Sequence, residues 1–418
     1  MSRFDAALTR LHTLYPKLID LRLERLERLL GELGHPERKL PPVLHVAGTN
    51  GKGSVCAFAA AIAEAAGLKV HVYSSPHLVR FNERFRLHGE LATDDQIAEA
   101  LDAVEAANGP AQITVFEAIT AAAFYMFAKY PADLAIIEVG LGGRLDATNV
   151  VSPKACAITS VSLDHQDFLG ATLAAIAAEK AGIIKDNVPV VTGFQPPEVM
   201  AVIEAEAAAH HAPLWRRGQD WTVQGYGYGI VYDKMALPRP ALLGPHQVEN
   251  AGIAISLLRA AGYKFNDRIL AKGLTSAQWP ARMQRLHGAL AKALPEGAQL
   301  WLDGAHNPGG ALALAEQLQA FSGPTTLIVG MKQSKDVGEV LRILAPHAAE
   351  IYAVAEPGQH LALPVEAIIE ASNGKAKPGP DIAGALKQIT APTRVLICGS
   401  LYLAGEVLKL DGAGAGAG

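Results

Sequence analysis

The stretch Val43-Leu44-His45-Val46-Ala47-Gly48-Thr49-Asn50-Gly51-Lys52-Gly53-Ser54 decides how the rest of the chain is read. Val43–Ala47 predicts a strand, the glycines a turn, and the alanine-rich run from Lys52 to about Ala66 a helix. Glycines let backbone amides curl around phosphates, and the helix start adds its positive end. Lys52 is then placed for the outer phosphates and Ser54 for a magnesium ion beside them. Gly53 separates the lysine from the hydroxyl, so the run departs from the usual phosphate loop. A glycine-rich turn with no ligand is the plainer alternative.

Working outward, strands alternate with helices. Strands are expected at Lys69–Tyr73, Leu134–Val139, Ala155–Val161 and Val188–Val191, with helices at Asp94–Ala107 entered through Thr93, Val115–Lys129 and Thr172–Ala181. Apolar strands alternating with helices imply an α/β domain with a mostly parallel sheet covered on both sides. Before it, Leu18, Leu21, Leu26, Leu29, Leu30 and Leu33 form the apolar face of a two-helix N-terminal region. The Gly-, Tyr- and Trp-rich stretch Trp215–Tyr232 reads as short antiparallel strands, and His246–Ala261 as a closing helix. Pro280, Pro295 and Gly297 punctuate a boundary. A second α/β alternation then runs through strands Gln299–Leu302, Thr325–Gly330, Glu350–Val354 and Arg394–Cys398, with helices Gly309–Phe321, Val337–Leu344, Ile382–Ile389 and a last one to Leu410. The expected domains are 1–284, carrying the phosphate loop, and 298–411, with a disordered Gly/Ala tail over 412–418.

Composition narrows the function classes. Half of the 418 residues are hydrophobic and 19% are charged, which calls for packed cores rather than disorder. Lys plus Arg (37) against Asp plus Glu (41) leaves no basic excess for nucleic acid. Cys56, Cys156 and Cys398 lie far apart in apolar runs and read as buried thiols of a reducing compartment. The N-terminus, with Arg3, Asp5 and Arg10, lacks the apolar core of a signal peptide, and the apolar run Ala118–Ala128 is too short to span a bilayer. A cytoplasmic monomer acting on small molecules, without membrane or nucleic-acid partners, is expected.

Ligands of open parallel sheets bind at the carboxyl ends of the strands. Ser74-Ser75-Pro76-His77 ends one expected strand, Glu138 ends another, and His165 follows a third. With the phosphate loop they would form a hard-oxygen edge suited to magnesium. Taken singly, Glu138 could be a salt-bridge partner and His165 a cap or core histidine.

Here the chain resembles the folylpolyglutamate synthases, relatives of the Mur peptide ligases of cell-wall synthesis. The resemblance rests on Gly48–Ser54, Ser74–His77, Glu138–Asn149, Leu163–His165 with Leu169-Gly170, Glu179–Ile183, Ile19-Asp20-Leu21, Asp303–Pro308 and Cys398-Gly399-Ser400. It spans nearly the whole chain in order. It implies an N-terminal ATPase domain, a C-terminal Rossmann-like domain and an active site in the cleft between them. It also implies a reaction: ATP phosphorylates a carboxylate, the amine of L-glutamate attacks the acyl phosphate, and ADP and phosphate leave.

Carried over by position, Ser75, Glu138 and Ser54 resemble ligands of a first magnesium. His165 resembles a ligand of a second, shared with Lys180, the position of the family's carbamylated lysine. Gly48, Thr49, Asn50, Gly51, Lys52, Gly53, Ser54, Asn250, Arg282 and Asp303 match ATP contacts, His306 falls near the nucleotide or the glutamate, and Lys52, Lys180, His165 and Arg282 carry the catalytic roles. Ile19, Asp20, Leu21, Thr114, Val115, Phe116, Glu117, Leu145, Asp146 and Ala147 resemble the pterin contacts of bifunctional members, which also make dihydrofolate from dihydropteroate. Arg22 and Val115 stand where close bifunctional relatives often carry Gly and Tyr. The rival readings are a polyglutamate synthase only, a Mur-type cell-wall ligase, a phosphate-loop kinase and an ATP-driven regulatory switch. A Mur-type ligase would carry a further N-terminal domain, whereas about forty-five residues precede the loop here.

Overall fold

In the computed structural model, residues 2–15 and 20–412 are described. The chain forms two compact units: residues 1–77, 82–241 and 248–277 make the first, and 78–81, 242–247 and 278–418 the second. Residues 78–81, 242–247 and 278–284, all expected in the first domain, cluster with the second instead. Pairing of Gln284–Leu286 with Leu300–Leu302 ties the last of these to the second sheet, and Leu78, Val79 and Leu243 pack on its core.

The first unit is built on a sheet of β1 (Val43–Ala47), β2 (Val70–Tyr73), β3 (Phe85–Leu87), β4 (Glu90–Leu91), β5 (Leu134–Glu138), β6 (Ala155–Ile158), β7 (Val190–Thr192) and β8 (Leu214–Arg216). Their spatial order is β4-β3-β2-β5-β1-β6-β7-β8. β2, β5, β1, β6, β7 and β8 run parallel, and β3 and β4 form an antiparallel edge. Every residue of β1 and β5 is buried, as strands covered on both faces require. From β1 the chain moves to β2 on one side, while from β6 it moves to β7 on the other. The crevice at the carboxyl ends of β1 and β6 is therefore a topological switch point, where open α/β sheets bind ligands.

Three differences from the sequence reading have local causes. Leu214–Arg216 joins the parallel sheet beside β7, so Trp215 does not belong to the antiparallel ribbon. That ribbon is β9 (Val223–Tyr226), β10 (Gly229–Tyr232) and β11 (Met235–Pro238). The helix Pro197–Ala209 escaped notice because its residues carry little amphipathic contrast, although Pro197 at its first turn is a helix-start signal. The helix Asp267–Ser276, capped by Asn266, was also missed. It packs on Lys52–Ala65 so closely that a Cβ on Gly273 would lie 2.4 Å from Ile62 Cα. In the N-terminal region, Arg3–Leu14 and Glu24–Glu32 are helical. Leu26, Leu29 and Leu30 are buried, Leu21 precedes the second helix, and Leu18 lies outside the described residues.

The second unit holds β12 (Gln284–Leu286), β13 (Gln299–Leu302), β14 (Thr325–Val329), β15 (Glu350–Ala353), β16 (Lys377–Pro378) and β17 (Arg394–Cys398), in the order β12-β13-β17-β14-β15-β16. All neighbours are parallel except β12 and β13. Two apolar clusters share this sheet. Leu78 and Val79 pack against one, and Leu243 against the other. Among the described residues no helix is long and apolar enough to cross a membrane. The tail over 413–418 lies outside the described residues.

Candidate active site

The loop after β1 is shaped by two glycines in the left-handed region, Gly48 at φ 144° and Gly51 at φ 91°. A side chain would clash at Gly48 and would displace the Asn250 amide at Gly51. A Cβ on Gly48 would lie 1.8 Å from Thr159 Oγ1, and one on Gly51 2.5 Å from Asn250 Oδ1. The segment after β6 holds the loop in place. The Thr49 amide donates to Ser160 O at 2.8 Å, and the Thr49 hydroxyl donates to Ser162 O while accepting from the Ser162 amide, both at 3.1 Å. Thr159 Oγ1 donates to Asn50 O at 2.7 Å. Lys52 Nζ folds back onto Gly48 O (3.1 Å) and Thr49 O (3.3 Å), so its ammonium sits over the loop it would serve.

Lys180 reaches the same loop from the end of the helix Leu173–Ala181. It is buried, and its Nζ donates to Gly48 O at 3.0 Å. Burial, helped by the nearby Lys52 charge, pushes its pKa down to about 7 against the pull of Asp164, Asp146 and Glu179. Close packing fixes the helix end. A Cβ on Gly143 would meet Glu179 O at 2.6 Å, and one on Gly182 would meet Arg144 Cβ at 2.4 Å.

Glu138 is buried at the end of β5, between β1 and β2, and accepts from the Ser75 amide at 3.2 Å. Ser54 Oγ is buried with no hydrogen-bond partner among the described residues. An unmatched buried hydroxyl costs about 1–3 kcal/mol, so this atom fits a cation or a phosphate oxygen. Among the described residues no group of three His, Cys, Asp or Glu side chains could hold a metal unaided. Magnesium binds through one or two protein groups together with phosphates and water. His165 starts the short helix Gln166–Leu169 with φ 51°, and its ring is 43% exposed. Its amide donates to Asp164 Oδ1 at 2.8 Å.

The pterin-side residues divide. Phe116 lies against Gly140, where a Cβ would come within 2.3 Å of its Cζ, while Leu21 and Leu145 are half-buried. Val115 and Ala147 are buried, and Ile19 lies outside the described residues. Two carboxylates of this set, Glu117 and Asp146, are buried and bonded to nearby backbone amides. Glu117 Oε2 accepts from the Thr114 amide at 2.5 Å, and Thr114 Oγ1 accepts from the Glu117 amide at 3.1 Å, a capping box for the helix Val115–Lys129. Asp146 accepts from the amides of Leu141 (2.8 Å) and Thr148 (3.0 Å) and from Thr148 Oγ1 (2.5 Å). It organises its own loop rather than facing outward. Arg25, which the sequence reading passed over, joins Asp20 to Glu117. Only its place four residues after Leu21 in a charged helix start could have pointed to it.

In the second unit Asp303 follows β13 and accepts from the amides of Met283 and Ala305, each at 2.8 Å. Arg282 Nη1 donates to Ala281 O at 2.8 Å and lies 2.7 Å from where a Gly304 Cβ would stand. His306 Nδ1 donates to Gly304 O at 2.8 Å. His246 shares this cluster. Burial pushes its pKa down, with Asp303 raising and Arg282 lowering it.

Residues 46–258 match the Mur ligase middle domain, and residues 289–410 match the dihydrofolate synthetase C-terminal domain. Folylpolyglutamate synthase of Lacticaseibacillus casei is 35% identical over 405 residues, covering 92% of each chain. The chain belongs to the folylpolyglutamate synthase/dihydrofolate synthase family. Among solved members, E. coli FolC in complex with DHPP and ADP superposes with a TM-score of 0.89 at 33% identity, covering 99% of both chains. The bifunctional folylpolyglutamate synthase/dihydrofolate synthase of Yersinia pestis, complexed with AMPPNP and Mn ion, gives a TM-score of 0.87 at 33% identity over 98% of both chains. These solved members were captured with ADP, or with AMPPNP and a Mn ion, so the family uses a nucleotide and a divalent metal.

Proposed function

We propose that the chain is an ADP-forming ligase, a cytoplasmic monomer that joins L-glutamate to folate-type acids. It extends tetrahydrofolate and converts dihydropteroate to dihydrofolate. The observation that carries this reading is the bond from buried Lys180 Nζ to Gly48 O, which brings a family-specific lysine onto the phosphate loop itself. A switch protein or a simple kinase needs the loop but not that lysine.

A carboxylate resists attack by an amine until one oxygen becomes a leaving group. Phosphoryl transfer from ATP makes the acyl phosphate, the neutral amine of glutamate adds to its carbonyl, and phosphate departs as the amide forms. Loop amides and Lys52 hold the outer phosphates and oppose the charge that develops on the transferring group. Ser54, Ser75 and Glu138 would hold a first magnesium, and His165 with a carbamate on Lys180 a second. Bound metal supplies positive charge beside the phosphates. Asn250 in the first unit, and Arg282, Asp303 and His306 in the second, are assigned to the nucleotide. Phe116, Leu21, Leu145 and Asp20 are assigned to the pterin side.

The test is ADP release by purified protein given glutamate with either dihydropteroate or tetrahydrofolate. Both acids should support turnover, and neither ATP alone nor ATP with glutamate should. Elongation without dihydrofolate formation would reduce the chain to a polyglutamate synthase. Substrate-independent ATP hydrolysis would favour a switch. Glu138→Gln should move the magnesium dependence to higher concentration, and an unchanged curve would remove Glu138 from the metal site.

A further inference from the structure

Asp20 and Glu117 lie on separate segments, 97 positions apart in sequence, and one guanidinium spans them. Arg25 Nη1 donates to Asp20 Oδ2 at 2.6 Å, its Nη2 to Asp20 O at 3.1 Å, and its Nε to Glu117 Oε1 at 3.2 Å. Glu117 is 3% exposed and already caps its own helix through Thr114, so it is a rigid post. Asp20 belongs to the segment before the helix Glu24–Glu32, which has no side-chain cap of its own. Arg25, in the first turn of that helix, therefore fixes the Asp20 segment to the start of Val115–Lys129, next to Phe116. Arginine suits this role because its planar fork meets two carboxylates and a carbonyl at once, which a lysine cannot do.

We propose that Arg25 is a positioning residue that sets selectivity for the pterin acid. It makes no contact with the reacting carboxylate. It ties the Asp20 segment to the helix start that carries Phe116 and so determines how tightly dihydropteroate is held. This inference rests on assigning Asp20 and Phe116 to the pterin side. Arg22, 3.4 Å from the other Asp20 oxygen but 68% exposed, is too solvated to replace it.

The experiment is steady-state kinetics of Arg25→Met, Arg25→Lys and Glu117→Gln, measured with dihydropteroate, with tetrahydrofolate and with ATP as varied substrates. Arg25→Met should raise KM for dihydropteroate by about tenfold or more, leaving kcat within about twofold and KM for ATP unchanged, with a smaller rise for tetrahydrofolate. Arg25→Lys should recover part of that loss. Glu117→Gln keeps a cap acceptor for Thr114 but loses the charge facing Arg25. It should raise the same KM, and the double variant Arg25→Met/Glu117→Gln should be no worse than Arg25→Met alone. If Arg25→Met does not fold, Glu117→Gln carries the test. Asp20→Ala and Phe116→Ala separate the two levels of the argument. If these raise KM for dihydropteroate while the Arg25 and Glu117 variants do not, the clamp is refuted and the pterin assignment stands. If none of them moves it, the pterin assignment itself fails.

Discussion

At the scale of single residues, Lys180 joins reactivity to placement. A surface lysine beside Glu179 would be protonated and free to sway, whereas this one is buried and bonded to the loop carbonyl of Gly48. Lys180→Ala should be almost inactive while keeping its ATP-induced rise in melting temperature, and small carboxylic acids should restore part of the activity. Full activity of the alanine variant would dismiss the carbamate. Lys52→Ala should lower turnover by about a hundredfold or more, the scale of losing one preorganised charge at a developing anion, with the fold intact. Near-native turnover at saturating ATP would remove Lys52 from the mechanism. The loop's place was legible in the sequence, because Gly48, Gly51 and Lys52 sit where a strand must turn into a helix. The inward roles of Glu117 and Asp146 were not. Nothing in a carboxylate's sequence neighbours says which backbone amides it will meet, and the Thr114/Glu117 spacing is a capping signal that a ligand role had masked. Arg25 meets Glu117, and His246 meets Asp303 and Arg282, only through segments far apart in sequence, so their roles showed little local mark.

At the scale of elements, what holds the phosphate loop from behind is a helix contact that periodicity did not reveal. Gly273 lets the helix Asp267–Ser276 lie directly on the helix Lys52–Ala65. Gly273→Ala should therefore destabilise the protein by about 1–3 kcal/mol through overpacking and raise KM for ATP, since the displaced helix carries Lys52 and Ser54. Urea midpoints and ATP titration would check both, and an unchanged midpoint would mean that the two helices separate at no cost. The strand β1 carries a second pressure point. His45 is fully buried, its Nε2 is 2.9 Å from Thr148 Oγ1, and burial with the nearby Lys185 charge pushes its pKa down to about 3. The unfolded chain takes up a proton near pH 6.5, whereas the folded form stays neutral to about 3. Stability from this residue is thus complete above pH 6.5 and is lost as pH falls toward 3, by up to about 1.4 kcal/mol per pH unit. In His45→Asn the decline of urea midpoints between pH 6 and 4 should be shallower, and an identical slope would show that His45 does not report the acid response. Strands β1, β5, β13, β14 and β17 were readable because apolar runs flanked by turns admit few alternatives. The ribbon edges were less so, since strand pairing sets them, and the helix at 197–209 carries too little amphipathic contrast to stand out.

At the scale of the whole molecule, the two units are interleaved along the chain rather than consecutive. Residues 78–81 and 242–247 belong to the second unit although both precede residue 278. Within the second unit the 78–81 stretch packs closely, since a Cβ on Gly405 would lie 2.2 Å from Leu78 O. A fragment spanning 278–418 lacks Leu78, Val79 and Leu243 and should be poorly folded, with weak protection of β14 and β17 amides from hydrogen exchange. A fully protected fragment would show that these borrowed residues are dispensable. The same arrangement bears on synthesis. The 78–81 stretch leaves the ribosome roughly 200 residues ahead of β13, which at about 5–20 residues per second is on the order of 10–40 s. During that interval Leu78 and Val79 have no core to enter. The newborn chain must keep an apolar stretch shielded while the unit it belongs to is still being translated.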